Sequence, residues 1–187
     1  MSGAVIEIRD IDISGRTLTT VGWLCLVVAV VAGVSFVCLV LMFVLFAIGE
    51  DEAGQLFGRT NDWLGLVSSV LALPVVVILG RLLYPLRPLT GLLITAVGTA
   101  AFAAIVLLSW LLVSDSWTFE QQIGPVSAAY VVLMGWFVVT GRRMATTGFH
   151  RRGLPLGIGA ALYAGFPIWA VAVGRRLIRL GRMDGQP

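Results

Sequence analysis

Short polar links cut this chain into about five apolar runs, each long enough to cross a lipid bilayer as a helix. That grouping constrains the fold more than any motif does. A hydrocarbon core of about 30 Å takes roughly 20 apolar residues as helix and leaves no water for unpaired backbone groups. Charged residues make up 12% and hydrophobic residues 58% of the 187 positions. A soluble domain carries about 25% charged residues and spreads its apolar positions at helical or strand period. The sequence therefore predicts an all-α integral membrane bundle of about five transmembrane helices.

The spans are expected at about 20–48, 62–84, 88–113, 119–140 and 154–174. They make one bundle over 20–180, between a polar amino-terminal tail, 1–19, and a carboxy-terminal tail, 181–187. The tail does not read as a cleaved signal, because its start is not basic and the run after it is too long. Ile6, Ile8, Ile11 and Ile13 alternate with charges, which fits either a short bulged strand capping the bundle or a flexible tail. Glu50, Asp51 and Glu52 end the first span, and Thr60 or Asn61 is the expected cap of the second. Pro74 is expected to kink the second span, and Pro85 and Pro88 separate it from the third. Thr118 with Gln121 fits a capping box for the fourth. Trp23, Trp63, Trp110, Trp117, Trp136 and Trp169 all fall near span ends, where an amphipathic indole prefers the headgroup level.

All 13 basic residues are arginine. With five crossings and the amino terminus inside, eight lie inside: Arg9, Arg16, Arg81, Arg87, Arg142, Arg143, Arg151 and Arg152. Five lie outside: Arg59, Arg175, Arg176, Arg179 and Arg182. The excess favours a cytoplasmic amino terminus. The weakness of the bias comes from the fifth span, which has basic clusters at both ends. A re-entrant fifth span would make the split twelve to one. A full crossing is the expectation, because re-entrant backbone must be shielded by protein. An antiparallel dimer of dually inserted chains also fits a weak bias.

None of the five expected spans holds an ionisable side chain away from its ends, unlike most proton-coupled transporters. No P-loop, HExxH, CxxC or GxSxG motif occurs, so no catalytic, metal or cofactor residue is assigned. Cys25 and Cys38 lie thirteen residues apart on one span, about 20 Å, too far to pair. No basic domain supports nucleic-acid binding.

Arg142, Arg143, Arg151, Arg152, Arg175 and Arg176, with Arg179 and Arg182 beyond them, admit two readings. One is contact with anionic lipid headgroups, and the other is ordinary interfacial snorkelling. Gly153, Gly157, Ala161 and Gly165 recur every four positions on the fifth span, and Ala96, Ala100 and Ala104 on the third. Such small faces let helix backbones approach closely, here within one bundle in preference to between two copies.

The stretches Arg151–Arg152–Gly153–Leu154–Pro155, Gly165–Phe166–Pro167–Ile168–Trp169 and Gly174–Arg175–Arg176–Leu177 resemble the closing helix of uncharacterised small multi-pass bacterial membrane proteins. The resemblance is confined to that carboxy-terminal segment. It implies a protein of the bacterial cytoplasmic (inner) membrane and transfers no active site. Three functional expectations follow, in order. The first is a non-enzymatic accessory or assembly subunit whose partners are the bilayer and another membrane protein or a second copy. The second is a passive transporter or channel acting as an oligomer, for which Ser68, Ser69, Thr95, Thr99 and Tyr130 would line a cavity. The third is a lipid-acting enzyme, which would need carboxylates to meet the arginine clusters.

Overall fold

In a computed structural model, the described residues, 13–84, 88–162 and 164–183, form six helices and no strand. These are α1 (Gly15–Ala47), α2 (Asp51–Leu83), α3 (Pro88–Val113), α4 (Phe119–Thr146), α5 (Gly153–Ala161) and α6 (Phe166–Met183). The first four are long and apolar enough to cross a membrane, and the protein is a multi-pass membrane bundle. The alternating isoleucines up to Ile11 and the carboxy-terminal tail from 184 onward lie outside the described residues.

Helices α1 to α4 pack in chain order, each antiparallel to the one before it, and α6 closes the ring against α1. The approach of α1 and α2 is set by small residues. A Cβ at Gly54 would strike the Phe46 ring, and one at Gly58 would stand 2.9 Å from the Met42 sulfur. Between these helices the fully buried Ser35 hydroxyl donates to Asn61 Oδ1 at 2.8 Å, so the chain's single asparagine serves as an interhelical anchor. Thr118 and Gln121 form the expected capping box at the start of α4.

The second helix begins at Asp51, eleven residues ahead of the expected start at Asp62. Residues 51–61 are polar, which made them read as a loop. They are helical because Gly54 and Gly58 dock them on the end of α1, while Gly49, at φ +84°, makes the tight link. Trp63 and Arg81 then stand eighteen residues apart on α2, about 27 Å, close to the hydrocarbon thickness. Pro74 lies inside this continuous helix.

The expected fifth crossing over 154–174 is two helices. Helix α5 runs antiparallel to the end of α4, with Gly153 and Gly157 against Gly141. Its last residues, Ala160 and Ala161, meet the middle of the bundle beside Leu133 and Phe137. The chain reverses between α5 and α6, where Gly165 stacks on Gly159 and its N–H donates to the Gly159 carbonyl at 3.2 Å. Helix α6 then returns beside α1, with Gly174 facing Gly22 and Gly181 facing Gly15. Both ends of this hairpin therefore lie at the end of the bundle where α1 begins. The nine-residue α5, about 13 Å long, is too short to cross.

The small-residue stripes divide accordingly. Gly153 and Gly157 pack on α4, Ala161 is half-buried, and Gly165 belongs to the turn. On α3 the stripe divides as well: Ala104 packs against the core, while Ala96 and Ala100 are exposed. The inward face of α3 is Gly91, Gly98, Ala101, Phe102, Ile105 and Leu108.

Gly174→Leu places a side chain where a Cβ would already stand 2.7 Å from the Gly22 carbonyl oxygen. It is expected to destabilise the bundle by about 1–3 kcal/mol or more. Gly135→Ala, on an exposed face with nothing within 4 Å, is expected to be neutral or to stabilise by up to about 1 kcal/mol. Thermal melting of both variants in the same detergent checks the contrast.

Candidate functional site

Three regions of the bundle carry chemistry. The first is the basic end, where α1 starts, α2 ends, α4 ends and the α5–α6 hairpin has both its feet. Arg16, Arg81, Arg142, Arg143, Arg151, Arg152, Arg175, Arg176, Arg179 and Arg182 all map to this end. Arg59 is the one described arginine at the other end. The described carboxylates sit with Arg59: Glu50, Asp51, Glu52, Asp62, Asp115 and Glu120. Cations and anions are thus held at opposite ends of the bundle among the described residues.

The basic residues are not equivalent. Arg143 turns inward: its Nε donates to the Leu83 carbonyl at 2.8 Å, and its guanidinium lies 5.2 Å from the centre of the Tyr84 ring. That bond satisfies one of the carbonyls left open where α2 ends. Burial raises the Tyr84 pKa from its usual value, and the Arg143 charge lowers it in part. Arg176 is half-buried, with its Nε out of contact with solvent and without a hydrogen bond. Arg142, Arg151, Arg152, Arg175, Arg179 and Arg182 are exposed.

His150 sits between these groups in the α4–α5 link, its Nδ1 accepting from the Arg152 backbone N–H at 3.2 Å. Partial burial lowers its pKa from the ordinary value, and the charges of Arg176 and Arg152 lower it further.

The second region is in the middle of the bundle, at the tip of the α5–α6 hairpin. Phe166 and Trp169 insert among Phe102, Trp136 and Phe137. Phe137 stands 5.0 Å from Trp169 and 5.5 Å from Phe166, between ring centres. Trp136 and Trp169 are 3% and 2% exposed, so neither belongs to an interfacial belt, whatever their positions in the sequence suggested. Trp136 is held by its N–H, which donates to the Ile94 carbonyl at 2.9 Å across a gap that only Gly98 leaves open. Beside this cluster is a cavity of about 40 Å³ whose lining includes Ser68, Ser69, Tyr130 and Phe166. Thr95 and Thr99 are not part of it; Thr95 packs against Gly80 instead.

The third region is the α1–α2 tip. Arg59 reaches Asp115 of the α3–α4 turn at 3.5 Å, and Trp63 and Trp110 meet edge to face at 6.3 Å. From Arg59 back to Asp51, α2 continues for eight residues, about 12 Å along its axis, as the outer arm of the α1–α2 hairpin. Phe43, Val44, Phe46, Ile48 and Leu56 are exposed on the projection, Phe43 at 62% and Ile48 at 68%. Under it is a groove of about 570 Å³, with Met42, Phe43, Phe46 and Trp63 on its apolar side and Arg59, Asp62 and Asp115 on its polar side.

Comparison of the chain with protein-family models, with characterised proteins and with solved structures finds no match.

Because the His150 pKa lies below its ordinary 6.5 in the folded protein, the unfolded chain binds more protons in the window below pH 6.5. Stability is therefore expected to fall as pH is lowered through that window. His150→Gln should flatten this part of the profile. Melting temperatures in detergent from about pH 8 to about pH 5 read the effect.

Proposed function

We propose that this protein is a non-enzymatic accessory or assembly subunit of a membrane complex, docked to its partner through the projecting α1–α2 hairpin. The observation that carries the reading is the apolar flank of that projection. Phe43, Val44, Phe46 and Ile48 are exposed at the end of α1 beyond the level of Ser35 and Asn61, and large exposed apolar surface marks interaction sites. Glu50, Asp51 and Glu52 at the tip and Asp62 and Asp115 in the groove supply the polar rim. The partner this chemistry suits is another membrane protein with an apolar ridge bordered by basic residues.

The basic end faces the cytoplasm in this reading. Ten described arginines at one end against one at the other is the asymmetry that the positive-inside rule turns into orientation. The amino terminus is then cytoplasmic, and the α1–α2 tip emerges on the far side of the cytoplasmic membrane.

A second reading, a passive facilitator acting as an oligomer, draws on the cavity beside Ser68, Ser69 and Tyr130. Its volume of about 40 Å³ suits a few water-sized molecules and no larger solute.

Photo-crosslinking in the native membrane separates the readings. A photoreactive residue at Phe43 or Ile48 is expected to give one discrete adduct with a different protein. The same probe at Leu92 or Leu93, on the outward face of α3, should give lipid adducts only. A purified homo-oligomer that yields self-adducts from α3 and none from the hairpin would contradict the accessory-subunit reading. Water or small-solute flux through liposomes would then become the decisive assay.

A further inference from the structure

The groove between α1 and α6 at the basic end has the shape and charge of a lipid site. Arg175, Arg179 and Arg182 recur at i, i+4 and i+7, which places them on one face of α6. All three are exposed, and they line a groove of about 430 Å³ whose apolar side is Trp23, Leu26, Ile178 and Met183. The glycine contacts set the depth of this ladder. Gly181 lies against Gly15 at the start of α1, and Gly174 against Gly22, two turns further in. Arg175 therefore sits seven residues, about 10 Å, deeper than Arg182.

A guanidinium that far inside the end of a membrane helix needs either a route to water or an anion. No described carboxylate lies at this end of the bundle to provide one. The Trp23 ring, exposed beside the ladder, gives the groove an amphipathic wall with an indole N–H for the polar layer and a ring face for an acyl chain. We propose that this groove binds an anionic phospholipid, its phosphodiester held by Arg175, Arg179 and Arg182 and an acyl chain lying on Leu26 and Ile178. A guanidinium offers paired N–H donors to a phosphate, and three at successive depths suit a headgroup and its glycerol linkage better than a free ion.

Arg179 and Arg182, which the sequence places beyond the six arginines of the two basic clusters, join Arg175 in the groove. Of those six, Arg143 is committed to the end of α2 and only Arg175 lines the groove.

The test is native mass spectrometry and thermal melting of the full chain in mild detergent. Phosphatidylglycerol is titrated against phosphatidylcholine, with inorganic phosphate as a separate arm. The site predicts stoichiometric retention of phosphatidylglycerol, a raised melting temperature, and no such effect from phosphatidylcholine. R175Q/R179Q/R182Q is expected to weaken phosphatidylglycerol binding about a hundredfold, each contact contributing several-fold. R151Q/R152Q, at the same end but outside the groove, should leave it unchanged. Equal retention of the two lipids by the unaltered protein would overturn the proposal without reference to any variant. So would equal loss in both variants, and so would stabilisation by inorganic phosphate alone, which would mark an ion site.

Discussion

The close contact of the α6 backbone with α1 decides the architecture. Gly22 faces Gly174 and Gly181 faces the Gly15 carbonyl, so at Gly22, Gly174 and Gly181 a carbonyl oxygen lies where a side chain would otherwise stand. Nothing but small residues at these positions lets two helices meet so closely in a medium with no hydrophobic drive between them. That contact binds α6 antiparallel to α1 along its first half. The segment after α4 consequently turns back at the middle of the bundle. The turn requires a second close approach, Gly165 on Gly159, and the aromatic rings of Phe166 and Trp169 fill the space at the tip. The backbone of the returning segment is covered by α1, which packs along α6, and by α4, which packs along α5.

This contact also accounts for the charge distribution. With the hairpin returning to its starting end, the arginines on either side of it fall together, and the conflict posed by two basic clusters at the ends of one span disappears. The carboxylates are left at the far end, around the α1–α2 tip and the α3–α4 turn. The bundle becomes electrically polar from end to end, with its apolar projection on the acidic side. A docking role for that projection and a lipid role for the basic groove use opposite ends and do not compete.

Much of this was legible from residue pattern alone. The third span, the capping box at Thr118 and Gln121, and the all-helical membrane class are local properties, set by apolar run length and by side-chain chemistry within four residues. What escaped the sequence depended on partners distant along the chain. Residues 51–61 look like a loop until Gly54 and Gly58 are seen against Phe46 and Met42; the Gly-x-x-x-Gly spacing was there to be noticed. Trp136 and Trp169 look like interfacial anchors because a linear distance from a span end says nothing about which way the ring points. The signal that would have placed Trp136 is Gly98, a gap on another helix. Ala96 and Ala100 show the converse, since two members of a regular small-residue stripe are exposed while Gly91, Gly98 and Ala101 took the packing role. Arg143 read as one more flanking cation, and its bond to the Leu83 carbonyl appears only once α2 and α4 end side by side.

The topology is tested most directly by the sidedness of three single cysteines, at Ser2, Glu52 and Met183, in a Cys25→Ala, Cys38→Ala background. Labelling with a membrane-impermeant thiol reagent is compared in vesicles of the two orientations. A re-entrant α5–α6 hairpin predicts that positions 2 and 183 label from the same face and position 52 only from the opposite one. Labelling of positions 52 and 183 from a common face would mean that the carboxy-terminal segment crosses fully, and would contradict the account.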